Sequence, residues 1–168
     1  MASTLGRREA IIGLTALALV AGLAWAWLGD SAERAPDVRF ETLAGKEFAL
    51  SELGGQPVIV YFWATDCVTC MREMPDLVEM YEDLEGEGLE LIAVAMSHDD
   101  PEDVRRVGEE RDLPFHLVVD TDGEFAHAFN QVRVTPTKFL VDPDGRVRMR
   151  HLGTTDHAEL HDRIVPML

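Results

Sequence analysis

Two cysteines occur in this chain, Cys67 and Cys70, and they stand as a Cys-x-x-Cys pair behind the apolar run Val58-Ile59-Val60-Tyr61-Phe62 and at the head of a stretch with helical periodicity. A short, unbroken run of β-branched and aromatic residues is a strand covered on both faces. The pair therefore sits where a buried strand turns into a helix, and the alternation of strands and helices along the rest of the chain places the fold in the α/β class. The same position sets the chemistry. A thiol at a helix N-terminus faces the positive end of the helix dipole and unpaired backbone N–H groups, which favour thiolate over thiol. Cys67 is the expected nucleophile, and Cys70, one turn further in, the thiol that resolves a mixed disulfide on Cys67.

Other uses of two cysteines fit less well. A zinc site normally takes four ligands, and His157 and His161 lie too far along the chain from Cys67 and Cys70 for the usual spacing. A bridge closing a four-residue loop removes little unfolded-chain entropy and makes a poor staple. Asp120-Thr121-Asp122-Gly123 lacks the later ligands of a calcium loop and reads as a turn. No metal site is expected, and the scattered histidines read mostly as surface residues.

The segment Phe62-Trp63-Ala64-x-x-Cys67-x-x-Cys70, with Pro75 five residues on, resembles the active-site segment of thioredoxin-fold proteins. Cys67-x-x-Cys70-x-x-Glu73-Met74-Pro75 is similar to the membrane-anchored TlpA/ResA-like branch. Val134-Thr135-Pro136-Thr137 before Phe139-Leu140-Val141 resembles the second signature of the fold, a cis-proline loop ahead of a strand lying against the dithiol. The likeness covers roughly residues 36 to 168. It implies a three-layer thioredoxin-like α/β domain with an N-terminal hairpin and a helix–strand insertion. It also implies thiol-disulfide exchange on exported client proteins, in the reducing direction, with electrons from a membrane donor and no cofactor beyond a redox-active Cys67–Cys70 disulfide. Cytochrome c maturation is one such setting.

Carried over residue by residue, the resemblance puts Trp63, Asp66, Thr135 and Pro136 at the client-binding surface, with Thr135–Pro136 cis. Tyr61 stands where many thioredoxins have a buried aspartate that assists proton transfer. That role is expected to pass to Glu73, which matches a glutamate near the dithiol of the ResA-like branch; the competing reading is an ordinary exposed helix glutamate. Asp66 departs from the family pattern, in which a tryptophan commonly precedes the first cysteine. A carboxylate there opposes thiolate formation, and neither Val68 nor Thr69 offsets it. Two other classes share part of the pattern. A peroxiredoxin-type peroxidase uses a Pro-x-x-x-Thr-x-x-Cys segment that Tyr61 to Cys67 does not match, and a Sco-like copper-binding assembly factor uses Cys-x-x-x-Cys.

Ala10 to Leu28 is nineteen residues without a charge, about 28 Å as a helix against a hydrocarbon core of about 30 Å. Arg7 and Arg8 precede it, and Asp30 and Glu33 follow, so the positive-inside rule puts residues 1–9 in the cytoplasm and the domain outside. Residues 10–28 are read as a retained single-pass anchor in the lipid bilayer, 29–36 as a linker and 37–168 as the catalytic domain, facing the periplasm or another extracytoplasmic space. A cleaved signal peptide ending near Ala24-Trp25-Ala26 is the alternative. The net charge of −16 makes nucleic acid an improbable partner and reads as a solubilising surface, with steering of basic partners as a narrower possibility.

The remaining elements follow from periodicity and turn signals. Val38 to Ala49 reads as a hairpin capping a sheet edge, and Cys67 to Leu84 as the active-site helix, kinked at Pro75. Strands are expected at Leu89–Ala95, Phe115–Val119, Thr137–Val141 and Val147–Leu152, and helices at Pro101–Arg111, Gly123–Phe129 and from Asp156 to Pro166.

Overall fold

The computed structural model describes Glu9, residues 11–20 and residues 32–168. The chain divides into two compact units, residues 1–32 and 33–168. In the first, residues 11–20 are helical; position 10 and positions 21–28 of the expected anchor, and 29–31 of the expected linker, lie outside the described residues. No helix among the described residues is long and apolar enough to cross a membrane.

The second unit is built on a five-stranded sheet. Its elements run β1 (Arg39–Glu41), β2 (Glu47–Ala49), β3 (Val58–Trp63), α1 (Val68–Leu84), β4 (Glu90–Ala95), α2 (Pro101–Glu110), β5 (His116–Val119), α3 (Glu124–Ala128), β6 (Thr137–Val141), β7 (Val147–Leu152) and α4 (His157–Ile164). The strand order is β5-β4-β3-β6-β7, with β3 parallel to β4 and antiparallel to β6. The two β–helix–β connections supply the parallel half of the sheet, and the Asp142-Pro143-Asp144-Gly145 turn joins β6 to β7 antiparallel without a crossover. Asp142 fixes that turn by accepting from the backbone N–H groups of Asp144 and Arg146.

β3 is the centre, and all six of its residues are buried. Alternate side chains feed two separate cores. Ile59, Tyr61 and Trp63 pack with Cys70, Met74, Leu77, Val104 and Leu160 under α1, α2 and α4. Val58, Val60 and Phe62 pack with Phe40, Phe48, Ala126 and Phe129 under the β1–β2 hairpin and α3. The three-layer thioredoxin-like arrangement is therefore present, with one face covered by a hairpin and a five-residue helix rather than by long helices. As expected, the hairpin closes a sheet edge: Thr42 bridges Val118, and Leu43 N–H donates to Leu117 O at 2.8 Å.

One expectation changes. Residues 33–35, read as linker, belong to the domain: Ala35 N–H donates to Gly145 O and Val147 N–H to Glu33 O, pairing the segment with the β6–β7 turn. Asp156 caps α4 by accepting from Ala158 and Glu159 N–H, and Glu159 pairs with Arg163 one helical turn on.

Candidate active site

The site grows out of the C-terminal end of β3. Cys67 is the N-cap of α1, with extended backbone, and its Sγ accepts from Cys70 N–H at 3.1 Å. Cys67 N–H donates back to Ala64 O at 3.1 Å, closing the turn between strand and helix. The two sulfurs are joined as a disulfide. Cys67 is half-buried and Cys70 has no exposed surface, so the outer sulfur is the one a partner can reach. The N–H that meets Sγ of Cys67 in the oxidised state is placed to hold its thiolate in the reduced one.

The turn is held from the side by a residue far along the chain. Asp99, buried in the loop after β4, accepts from Thr65 N–H with both oxygens, at 3.1 and 3.2 Å, and from the Thr65 hydroxyl at 2.5 Å. Asp66, next in sequence, is largely exposed, and its Oδ1 lies 3.5 Å from Nε2 of His98. On the other side, Thr135–Pro136 is cis, and Thr137 pairs with Phe62. Pro136 therefore stands at the same end of the sheet as the Cys67 turn. Its carbonyl accepts from Gly153 N–H at 2.8 Å, and Val134, just ahead of it, is exposed.

Below the dithiol lies a buried polar group of side chains. Glu73 is one turn beyond Cys70 on the same buried face of α1. Its Oε1 accepts from Nζ of Lys138 on β6 and, at 3.0 Å, from Thr155 N–H. Lys138 has no exposed surface, sits over the Tyr61 ring at 5.4 Å and also reaches Gly153 O at 3.3 Å. Oε2 of Glu73 and the Tyr61 hydroxyl, both buried, have no hydrogen-bond partner among the described residues. Burial, and then the nearby Glu73 charge, push the Tyr61 phenol far above its ordinary range, so it stays protonated.

The AhpC/TSA family model matches residues 32–150. The chain belongs to the AhpC/TSA family. It is similar to proteins named ResA. The chain is 36% identical over 127 residues to the thiol-disulfide oxidoreductase ResA of Geobacillus kaustophilus, covering 75% of this chain and 71% of that protein. It is 32% identical over 128 residues to ResA of Bacillus subtilis, covering 76% and 70%. A solved putative thioredoxin from Neisseria meningitidis superposes with a TM-score of 0.75 at 28% identity, over 82% of this chain and 91% of that one. This AhpC/TSA-family chain is thus a thiol-disulfide oxidoreductase of the ResA type.

Of the residues singled out in the sequence, Cys67, Cys70, Asp66, Thr135 and Pro136 gather at one end of the sheet. Glu73 is buried rather than an exposed helix glutamate. Trp63 has no exposed surface and packs in the same core as Cys70, so it offers a client no face of its own. Three residues escaped the sequence reading. His98 supplies the potential positive charge beside Asp66 that Val68 and Thr69 do not, and Asp99 anchors the loop; both come from a turn after β4 that carries no motif. Lys138 did carry a signal. A lysine inside a strand whose other residues are Thr137, Phe139, Leu140 and Val141 has nowhere to snorkel once both faces are covered, and so requires a buried anion.

Proposed function

We propose that this oxidoreductase reduces disulfides of exported client proteins outside the cytoplasm, held at the membrane by residues 10–28 and recharged by a membrane electron donor. Cytochrome c maturation is one setting that suits it. The observation that carries the reading is the asymmetry of the dithiol, with a half-buried Cys67 capping α1 and a fully buried Cys70 one turn behind it. Cys67 thiolate attacks one sulfur of the client disulfide; a Cys67–client bond forms and the other client sulfur leaves as thiolate. Glu73 takes the proton of Cys70, whose sulfur then attacks Sγ of Cys67 and expels the second client thiolate. The client gains two electrons and Cys67–Cys70 becomes the disulfide. Exposed Val68 and Val134 flank the reactive turn and give an extended client segment apolar footing. The charge-free run of residues 10–28, with arginines before it and acids after it, supports the anchor and its orientation.

Cys67→Ser is expected to abolish reduction of insulin-type disulfides, while Cys70→Ser accumulates a mixed disulfide through Cys67. Trapping clients on a Cys70→Ala form in membranes identifies them directly. Faster alkylation of Cys70 than of Cys67 in the folded, reduced protein would reverse the assignment.

A further inference from the structure

We propose that Lys138 is a positioning residue for the resolving step, holding Glu73 as a carboxylate with one oxygen pinned and the other free to receive the proton of Cys70. The inference rests on the exchange mechanism proposed above and adds to it the residue that makes Glu73 usable as a base. Oε1 is taken up by Nζ of Lys138 and by Thr155 N–H, whereas Oε2 has no partner among the described residues. Cys70 and Glu73 are three residues apart on one buried helix face, a spacing that puts their Cβ atoms about 5–6 Å apart. A carboxylate at this depth without a cation would take up a proton, and a protonated Glu73 cannot accept another. Lys138 prevents that. Burial lowers the lysine's proton affinity, and the Glu73 partner offsets only part of that, so the lysine's charge leans on the carboxylate it pins.

The titratable groups around the pair come from every element packed on it. Tyr61 on β3 is its neighbour in register and stays neutral. His151 on β7 lies across from Lys138 and turns its Nε2 to Thr154 O at 2.8 Å. On α1, Cys70 precedes Glu73 by one turn, and Asp76 follows it and meets His157 of α4 at 3.3 Å. Lys138 is the one cation that contacts the Glu73 carboxylate among the described residues.

The reduced protein and the aromatic disulfide 5,5′-dithiobis(2-nitrobenzoate) separate the steps. Attack by Cys67 releases one thionitrobenzoate, and resolution by Cys70 releases the second, so stopped-flow reads two phases. Lys138→Met is expected to leave the first phase unchanged and to slow the second by about tenfold or more at pH 7. The acid limb of the second phase should move upward by about one pH unit or more, since one unit corresponds to a factor of ten. In a Glu73→Gln background, where resolution is already slow, Lys138→Met should change neither rate nor profile. An unchanged second phase, or both phases slowed together, would overturn the proposal. So would an effect of equal size in the Glu73→Gln background, because the lysine would then act on Cys70 without the carboxylate. If Lys138→Met alone fails to fold, the Glu73→Gln/Lys138→Met double variant, which buries no charge at this site, still decides the matter against Glu73→Gln: equal second phases support the proposal and unequal ones overturn it. A wild type that releases neither thionitrobenzoate would instead bring down the exchange reading itself.

Discussion

Asp66 acts on the electrostatics of Cys67 from outside the helix. The carboxylate adjoins the nucleophile and opposes the N–H groups and dipole of α1, which stabilise the thiolate. Stabilising a thiolate stabilises the dithiol and makes the pair more oxidising, as the span from about −270 mV for thioredoxin to about −120 mV for DsbA illustrates. Asp66 pushes toward the reducing end. Replacing it by asparagine should therefore lower the Cys67 pKa and raise the reduction potential. The size is limited by exposure, because the Asp66 side chain is 79% accessible; a screened surface charge corresponds to about 5–20 mV. A dithiothreitol or glutathione titration of the wild type and of Asp66→Asn checks the sign. A wild-type potential near the DsbA value would contradict it.

The active-site helix shows how one element compensates a fault in another. Pro75 lies inside α1, which continues through it from Val68 to Leu84. Proline has no N–H, so the carbonyl four residues earlier, that of Met71, loses its helical partner. That carbonyl accepts instead from the Arg111 guanidinium at 3.1 Å, from the residue that ends α2. The helix–strand insertion is thereby tied to the first turns of the catalytic helix. Arg111→Ala should lower stability by about 1 kcal/mol, with the carbonyl partly rescued by water because the contact is exposed. Faster amide exchange in the first turns of α1 than in β3 would locate the loss. Pro75 was legible as an interruption, and every strand and helix of the domain was legible within a few residues, because β3 and β4 are apolar runs and the turns carry glycine, proline and aspartate. The partner of the Met71 carbonyl was not. Arg111 is forty residues away, and an arginine at a helix end ordinarily reads as a dipole complement.

The same division holds for the molecule as a whole. Local patterns announced the dithiol turn, and the family resemblance the cis-proline loop, whereas Lys138 to Glu73, Asp99 to Thr65 and His98 to Asp66 are long-range pairings that the sheet order creates by setting β4 and β6 on either side of β3. Charge is the global property that sequence alone could state. Arg7 and Arg8 balance Glu9 and Asp30, so the full net charge of −16 belongs to residues 33–168, the compact unit that carries the dithiol. A field of that size acts on any charged disulfide before contact and is screened over about 8 Å at physiological ionic strength. Dicationic cystamine should therefore react with the reduced protein faster than a dianionic aromatic disulfide does, once each rate is divided by that of the same reagent with a neutral model dithiol. At low salt the corrected preference is expected to be about tenfold or more, the lower end of electrostatic steering. It should collapse toward unity as sodium chloride is raised to about 1 M, where the screening length falls to about 3 Å. Asp66→Asn removes only one of the charges and should leave most of the preference in place; losing all of it in that variant would assign the selectivity to one carboxylate beside Cys67 rather than to the field of the domain.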